Sequence, residues 1–523
     1  HVVYRTPVTN TTSTDAITAF YFMNRITIDY DRRFVAEDDQ LIFDDDAGSH
    51  SYQIEGFSNG TDDDVLVWDI SDRLQPVRIA GVEVSNAGPP YTYEFGTDAG
   101  PASFIATHAG NVREPLAISK YVGPDLDPAA GAEWVAISHA NFLQKAQQLA
   151  AYRQQPMAGG FSTHVVDIED VINQYGYGLP IPAAIRQYMQ HALFNWPVAP
   201  QHLLLMGDGH INPRQLPCPE EAPDNNQCRD WGTEPEVNFV LTDMVYTDVE
   251  VGLNASDYTF SLLVGDDLMP DLAVGRLAVQ TAAEAQTIID KIVHFEATRG
   301  QPKPDALERS ALFIADNPDS AGDFCSASKG VADTLPPGYV TNTVCMESHD
   351  EDHIIDIQTA IHDAVSNPPN GVTFMNYRGH GAVRSWAGNL INLDDPDNDW
   401  DPWFNNEPVI ILTMNCLDGY FAVPGYEALS EEFLARPNHG SVAHWASTGF
   451  GYDFQHDVLH HGFYEGVFDH DLTRIGDAIN HAKMAYILQS HHPSQLYSFV
   501  LQGDPAMETI ATGLRTYLPA VSR

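Results

Sequence analysis

Between residues 134 and 414 the chain repeatedly sets a short, unbroken apolar run just before small or polar residues, and few architectures accommodate that pattern. The runs are Trp134-Val135-Ala136-Ile137-Ser138-His139, Leu203-Leu204-Leu205-Met206-Gly207-Asp208, Ala311-Leu312-Phe313-Ile314-Ala315-Asp316, Val372-Thr373-Phe374-Met375-Asn376-Tyr377 and Val409-Ile410-Ile411-Leu412-Thr413-Met414. A strand with one wet face alternates apolar and polar residues, whereas a strand without alternation is buried on both faces, as in a parallel sheet. Helical periods lie between the runs. From Ala282 to Phe295, for example, Ala285, Ile288, Ile289, Ile292 and Phe295 fall on one side. Strands alternating with helices predict an α/β sheet covered by helices on both faces.

At 523 residues, two or three domains are expected. Residues 1–130 carry no helix-length apolar period. Short stretches such as Val65-Leu66-Val67-Trp68-Asp69-Ile70 are separated by turn clusters such as Ser58-Asn59-Gly60-Thr61, which predicts an all-β, sandwich-like domain. The α/β region then divides at the linker-like Arg299-Gly300-Gln301-Pro302-Lys303-Pro304 into a first half, 131–304, and a second half, 305–511, with a tail at 512–523.

The formal net charge is -46. A polyanion of this size repels nucleic acid and anionic lipid and suits cationic substrates or bound calcium. No apolar run is long enough to span a membrane. The chain opens at His1-Val2-Val3 without an initiator Met, which reads as a processed or a trimmed form. Of the five cysteines, Cys218 with Cys228 and Cys325 with Cys345 are natural local pairs, leaving Cys416 alone. An odd cysteine in an otherwise paired chain predicts a free reactive thiol in an exported protein.

In open α/β sheets, function collects outside the carboxyl ends of the strands. Two of the runs above lead into Arg378-Gly379-His380-Gly381 and Asn415-Cys416-Leu417-Asp418-Gly419. A thiol is mostly protonated at neutral pH, and a neighbouring imidazole raises its thiolate character or takes its proton. Glycine lets backbone approach a substrate closely, so the amides of Gly381 and Cys416 are candidate donors to the oxyanion of an acyl intermediate. No Gly-x-Ser-x-Gly elbow and no phosphate loop occurs.

These residues resemble a known family. Asn376-Tyr377-Arg378-Gly379-His380-Gly381, Trp386 and Asn415-Cys416-Leu417-Asp418-Gly419-Tyr420-Phe421 resemble the catalytic core of the gingipains. Further landmarks follow in the same order: Gly207-Asp208-Gly209, Asp271-Leu272-Ala273-Val274-Gly275-Arg276 and Leu501-Gln502-Gly503-Asp504-Pro505. The resemblance covers roughly Gly131 to Ile510 and implies a caspase-like fold, a Cys416–His380 dyad and endopeptidase cleavage after a basic residue. It places Asp316 near the catalytic His as an orienting acid, and Asp323 at the base of an arginine pocket. In lysine-cleaving relatives the pocket acid comes from a loop corresponding to Ala446–Asp453, so Tyr452 and Asp453 are alternative pocket residues, and Trp386 is a further substrate contact. Arginine and lysine both stay open.

The acidic loop holding Asp394, Asp395, Asp397 and Asp399 has the hard-oxygen density of a structural calcium site, which the resemblance also implies. His456, His460, His461, His491 and His492 lack a His-Glu-x-x-His spacing and read as surface or packing residues. The expectation is therefore a secreted or cell-surface cysteine endopeptidase acting on protein or peptide substrates with basic residues. A surface transpeptidase of the same family and a non-catalytic calcium-binding surface protein are the alternatives.

Overall fold

The computed structural model describes residues 33–509 apart from 46–48, 63, 87, 98–101, 116–119, 212–237, 249–251, 300–309, 367–371, 396–406, 424, 438 and 490–491. The chain divides into two compact units at Tyr121/Val122. The sequence reading set this boundary nearer residue 130. Leu126 explains the earlier division, because it packs into the core of the second unit.

The first unit contains β1 (Gln40–Asp45), β2 (His50–Phe57), β3 (Val65–Asp69), β4 (Val77–Arg78), β5 (Glu83–Asn86), β6 (Tyr91–Thr97) and β7 (Ala102–His108). They form two antiparallel sheets, ordered β1-β7-β3-β4 and β2-β6-β5. Aromatic side chains from both sheets interlock: Tyr52 lies 5.5 Å from Phe43 and 5.2 Å from Phe104, ring centre to ring centre. This is the expected sandwich, whose core comes from inward-facing alternate residues.

The second unit is built on one ten-stranded sheet. The first half of this unit supplies β8 (Trp134–Ser138), β9 (Thr163–Asp167), β10 (His202–Met206) and β13 (Ala273–Leu277), with a separate hairpin of β11 (Asp243–Asp248) and β12 (Gly252–Ser256). The second half supplies β14 (Ser310–Ala315), β15 (Val340–Cys345), β16 (Phe374–Arg378), β19 (Val409–Met414), β20 (Ser441–Ser447) and β21 (Phe499–Gln502). A small hairpin, β17 (Gly381–Ala382) and β18 (Ser385–Trp386), follows β16. The sheet order is β15-β14-β16-β19-β20-β21-β13-β10-β8-β9. Every pairing is parallel except β20 with β21, so β14, β15, β16, β19 and β20 run opposite to the strands of the first half, and β21, parallel to β13, is the seam.

The helices are α1 (Leu143–Arg153), α2 (Ile168–Tyr175), α3 (Ala183–Asn195), α4 (Ala282–Arg299), α5 (Phe324–Ala332), α6 (Glu351–Ser366), α7 (Leu429–Ala435), α8 (Asp453–Phe468), α9 (Ile475–Leu488) and α10 (Ser494–Ser498). Alternate residues of each apolar strand enter different cores. Trp134, Ala136, Ala311 and Phe313 pack with α1, α4, α5, α8 and α9. Val135 and Ile137 pack with α2 and α3, and Leu312 and Ile314 pack with α6 and Phe433 of α7. Both faces are covered, which is why these strands show no polar alternation. Among the described residues, no helix is long and apolar enough to cross a membrane.

Candidate active site

β16 and β19 are neighbours in parallel register, with Phe374 opposite Ile410 and Arg378 opposite Met414. That offset of 36 residues equals the separation of His380 and Cys416, so both leave the sheet two residues beyond paired positions. The two loops then press together. A Cβ on Gly381 would lie 2.3 Å from Asn415 Nδ2 and 2.9 Å from the Cys416 carbonyl oxygen, so only glycine fits. Gly379 is required for the same reason, since its Cβ would lie 2.2 Å from that of Asp316.

Cys416 is the free cysteine among the described residues and is partly buried, its sulfur 4.0 Å from the Gly451 carbonyl oxygen. Leu417 follows with φ of 66°, a strained conformation for a branched side chain, which marks a sharp turn at the nucleophile. The Asp418 N–H donates to the Cys416 carbonyl at 2.9 Å and closes that turn. Cys325 and Cys345 form the expected disulfide, tying the start of α5 to the end of β15. The Cys218–Cys228 pairing lies outside the described residues.

The His380 ring is held by a residue that the sequence reading did not single out. Its Nε2 lies 2.9 Å from Asp319 Oδ2, and the edge of Phe324 packs against it at 5.5 Å. The Ala321 N–H, together with the His380 ring, holds the Asp319 carboxyl below its usual range. Asp316 is fully buried and acts on the backbone instead: Oδ2 accepts the His380 N–H at 3.1 Å, while Oδ1 lies 2.7 Å from His349 Nε2. The expected orienting acid is thus shared between two residues, one for the loop and one for the ring. His349, His380, Ser385, Trp386, Gly388 and Asn389 are among the residues lining a cleft of about 460 Å³.

Four of the expected site residues already have partners in the structure. Asp323 is exposed and caps α5, its Oδ1 accepting the Ser326 N–H at 3.0 Å. Asp453 is already partnered, because the buried Arg378 at the end of β16 donates Nε to it at 2.6 Å and Nη1 to Asp457 at 2.7 Å. A buried guanidinium demands such compensation. Trp386 is only 1% exposed, stacked flat on Tyr377 at 4.1 Å, so most of it is a support for the cleft. The two oxygens of Asp394 accept from Arg384 and Tyr426. Asp395 lies at the edge of the same loop, its N–H on the Asn392 carbonyl, and Asp397 and Asp399 lie outside the described residues. Tyr452 is exposed and stacked on Phe454 at 5.8 Å, next to the Gly451 carbonyl that faces the Cys416 sulfur. His456 and His460 are packing residues as expected, both buried, with His460 Nε2 on Asn376 Oδ1 at 2.8 Å.

Asp418 is the other residue passed over, although it stands inside the cysteine motif. Its buried carboxyl accepts from Trp386 Nε1, Asn415 Nδ2 and Thr413 Oγ1 at 3.1, 3.1 and 3.0 Å, so it braces both sides of the site. Burial pushes it up to about 7, against the pull of those donors. The folded protein therefore holds this proton more tightly than the unfolded chain. The resulting stability is fully present below about pH 4 and is lost as pH rises to about 7. Relative to Asp418→Asn, the wild type should lose up to about 4 kcal/mol between pH 4 and pH 8, for a carboxyl moved from 3.8 to about 7. Denaturant unfolding of both proteins at stepped pH measures this. A difference that stays flat across the window means that Asp418 is ionised throughout.

Comparison with known proteins agrees with the geometry. Peptidase family C25 matches residues 127–510. Gingipain R2 and gingipain R1 of Porphyromonas gingivalis are each 25% identical over 222 residues, which is 39% of this chain and 28% and 21% of theirs. The matched stretch is therefore less than a third of either relative. The crystal structure of the Arg specific cysteine proteinase gingipain R superposes with a TM-score of 0.54 at 17% identity, over 74% of this chain and 80% of that one. With most of its length matched and its fold shared, the chain belongs to peptidase family C25.

Proposed function

We propose that the chain is a secreted or surface cysteine endopeptidase that cleaves after a basic residue, preferentially arginine. The observation that carries this reading is the level placement of His380 and Cys416 on adjacent parallel strand ends, 36 residues apart in register and in sequence. His380 takes the thiol proton, and the thiolate sulfur bonds to the scissile carbonyl carbon. As the C–N bond breaks, the amine leaves with the proton from His380. Water, deprotonated by His380, then displaces sulfur from the acyl-enzyme and releases a carboxylic acid. Asp319 steadies the imidazolium between these steps, and the amides of Gly381 and Cys416 are the oxyanion donors. The Cys325–Cys345 disulfide supports an oxidising compartment. The assignment to basic residues is supported by the charge of -46, and the preference for arginine rests on the specificity named for gingipain R.

Cleavage profiling on an unbiased peptide library tests the reading: cuts should follow arginine, with lysine second. Asp323 remains the proposed pocket acid, because Asp453 is committed to Arg378. Asp323→Asn should then reduce kcat/KM for arginine substrates by about 30-fold or more, some 2 kcal/mol, and spare neutral ones. Equal loss on both substrate classes assigns Asp323 to helix capping alone, and cleavage without regard to charge removes the basic-residue assignment.

A further inference from the structure

We propose that Glu465, His470 and His481 form a zinc site at the end of α8 remote from Cys416. Glu465 lies in the last turn of α8, and the chain turns back at once, with the His470 N–H donating to the Glu465 carbonyl at 3.1 Å. α9 then returns across α8 at close range. A Cβ on Gly466 would meet the His481 side chain at 3.2 Å, and one on Gly462 would meet the Ala482 backbone at 2.8 Å. Backbone geometry and helix packing therefore bring the three side chains to one point. Their ligand atoms all lie within 4.8 Å of one another.

The separations match ligands awaiting a metal better than they match hydrogen bonds. His470 Nε2 lies 3.6 Å from one Glu465 oxygen and His481 Nε2 lies 3.7 Å from the other. Both are too long for a hydrogen bond. Two ligands on a tetrahedral zinc, each about 2.0–2.1 Å from the ion, stand roughly 3.3 Å apart, so side-chain adjustments of up to about 1.5 Å close the set. His481 Nε2 is buried and has no hydrogen-bond partner. The two imidazole ring centres lie 4.5 Å apart, tilted by 40°, and each Nε2 lies within 3.7 Å of a Glu465 oxygen.

The ligand chemistry selects the ion. Two imidazole nitrogens and one carboxylate suit zinc, whereas calcium takes oxygen ligands. The strongly negative chain raises the local concentration of any divalent cation. Glu465 is twelve residues from Asp453, about 18 Å along the helix. A zinc ion there would therefore staple the α8–α9 hairpin without entering the catalytic centre, its remaining position open to water.

The test uses the Cys416→Ala protein, so that the catalytic thiolate cannot bind the metal. After chelator treatment and dialysis at pH 7.5, it should take up about one equivalent of zinc chloride by calorimetry and unfold at a higher temperature. Cobalt in place of zinc should give visible absorption without a thiolate charge-transfer band. Excess calcium should not compete. His470→Ala and His481→Ala in this background should each weaken zinc by at least about tenfold, and together abolish stoichiometric binding. His470 is half exposed and should fold normally after substitution, so it carries the test alone if the double variant misfolds. No stoichiometric uptake, or uptake unchanged in His470→Ala, overturns the proposal.

Discussion

Cys416→Ala is expected to reduce peptide hydrolysis by at least about 10⁴-fold while leaving the folded structure unchanged, because the proposed mechanism bonds substrate only through that sulfur. The residue sits in a strained turn closed by backbone hydrogen bonds, and alanine keeps all of those. His380→Ala should cost about 10²–10⁴-fold, the usual contribution of a general acid–base. The double variant should be little worse than Cys416→Ala alone, since the two residues act as one unit. Asp319→Asn should lower kcat about tenfold or more with KM nearly unchanged, because it removes the charge beside the His380 ring that the proposed mechanism uses to steady the imidazolium. Asp316→Asn should behave differently. It alters the buried link between the His380 N–H and His349, so reduced stability should accompany its loss of activity. Steady-state kinetics with a fluorogenic arginine peptide, run beside circular dichroism, separates these outcomes. Hydrolysis by Cys416→Ala within tenfold of wild type removes the nucleophile assignment.

The placement of His380 and Cys416 at adjacent strand ends was legible in the sequence because parallel strands of similar length put their ends level. The number of residues from one strand end to the next is then also the register offset, and His380 and Cys416 are separated by that number. The apolar strands were legible because burial on both faces removes polar alternation. What could not be read was which acid meets which base. Asp316, Asp319 and Asp323 stand within eight positions of one another, and all three are ordinary turn or cap residues by type. Only the path of the loop decides that Asp319 meets the His380 ring, Asp316 meets its amide and Asp323 caps α5. Arg378 posed the same difficulty. Its buried position follows from the strand, but its partners Asp453 and Asp457 come from a helix 75 residues later. The zinc candidate was hidden for a related reason, since its two histidines belong to different elements and share no helical spacing.

The Gly503-Asp504-Pro505 stretch, one of the further landmarks of the family resemblance, belongs to the scaffold. Asp504 follows β21, the seam of the sheet, and accepts Arg153 Nε at 2.6 Å and Trp134 Nε1 at 3.0 Å. Arg153 also donates Nη1 to Glu296 of α4 at 2.8 Å, and the side chains of Arg153, Glu296 and Asp504 are at most 2% exposed. One guanidinium thus bridges two dry carboxylates and joins α1, α4 and the chain after β21. Replacing an ion cluster by apolar groups is often neutral, but removing one partner strands the others. Arg153→Met should therefore destabilise the α/β unit by about 3–5 kcal/mol, and Arg153→Met with Asp504→Asn and Glu296→Gln should recover much of that loss. Thermal unfolding that resolves the α/β unit from the β-sandwich gives the measurement, because a chain of two units need not unfold in one step. At low temperature, where the single variant stays folded, its kcat per titrated Cys416 thiol should equal that of the wild type. A collapse of kcat with no change in unfolding would instead place Arg153 and Asp504 in the catalytic machinery.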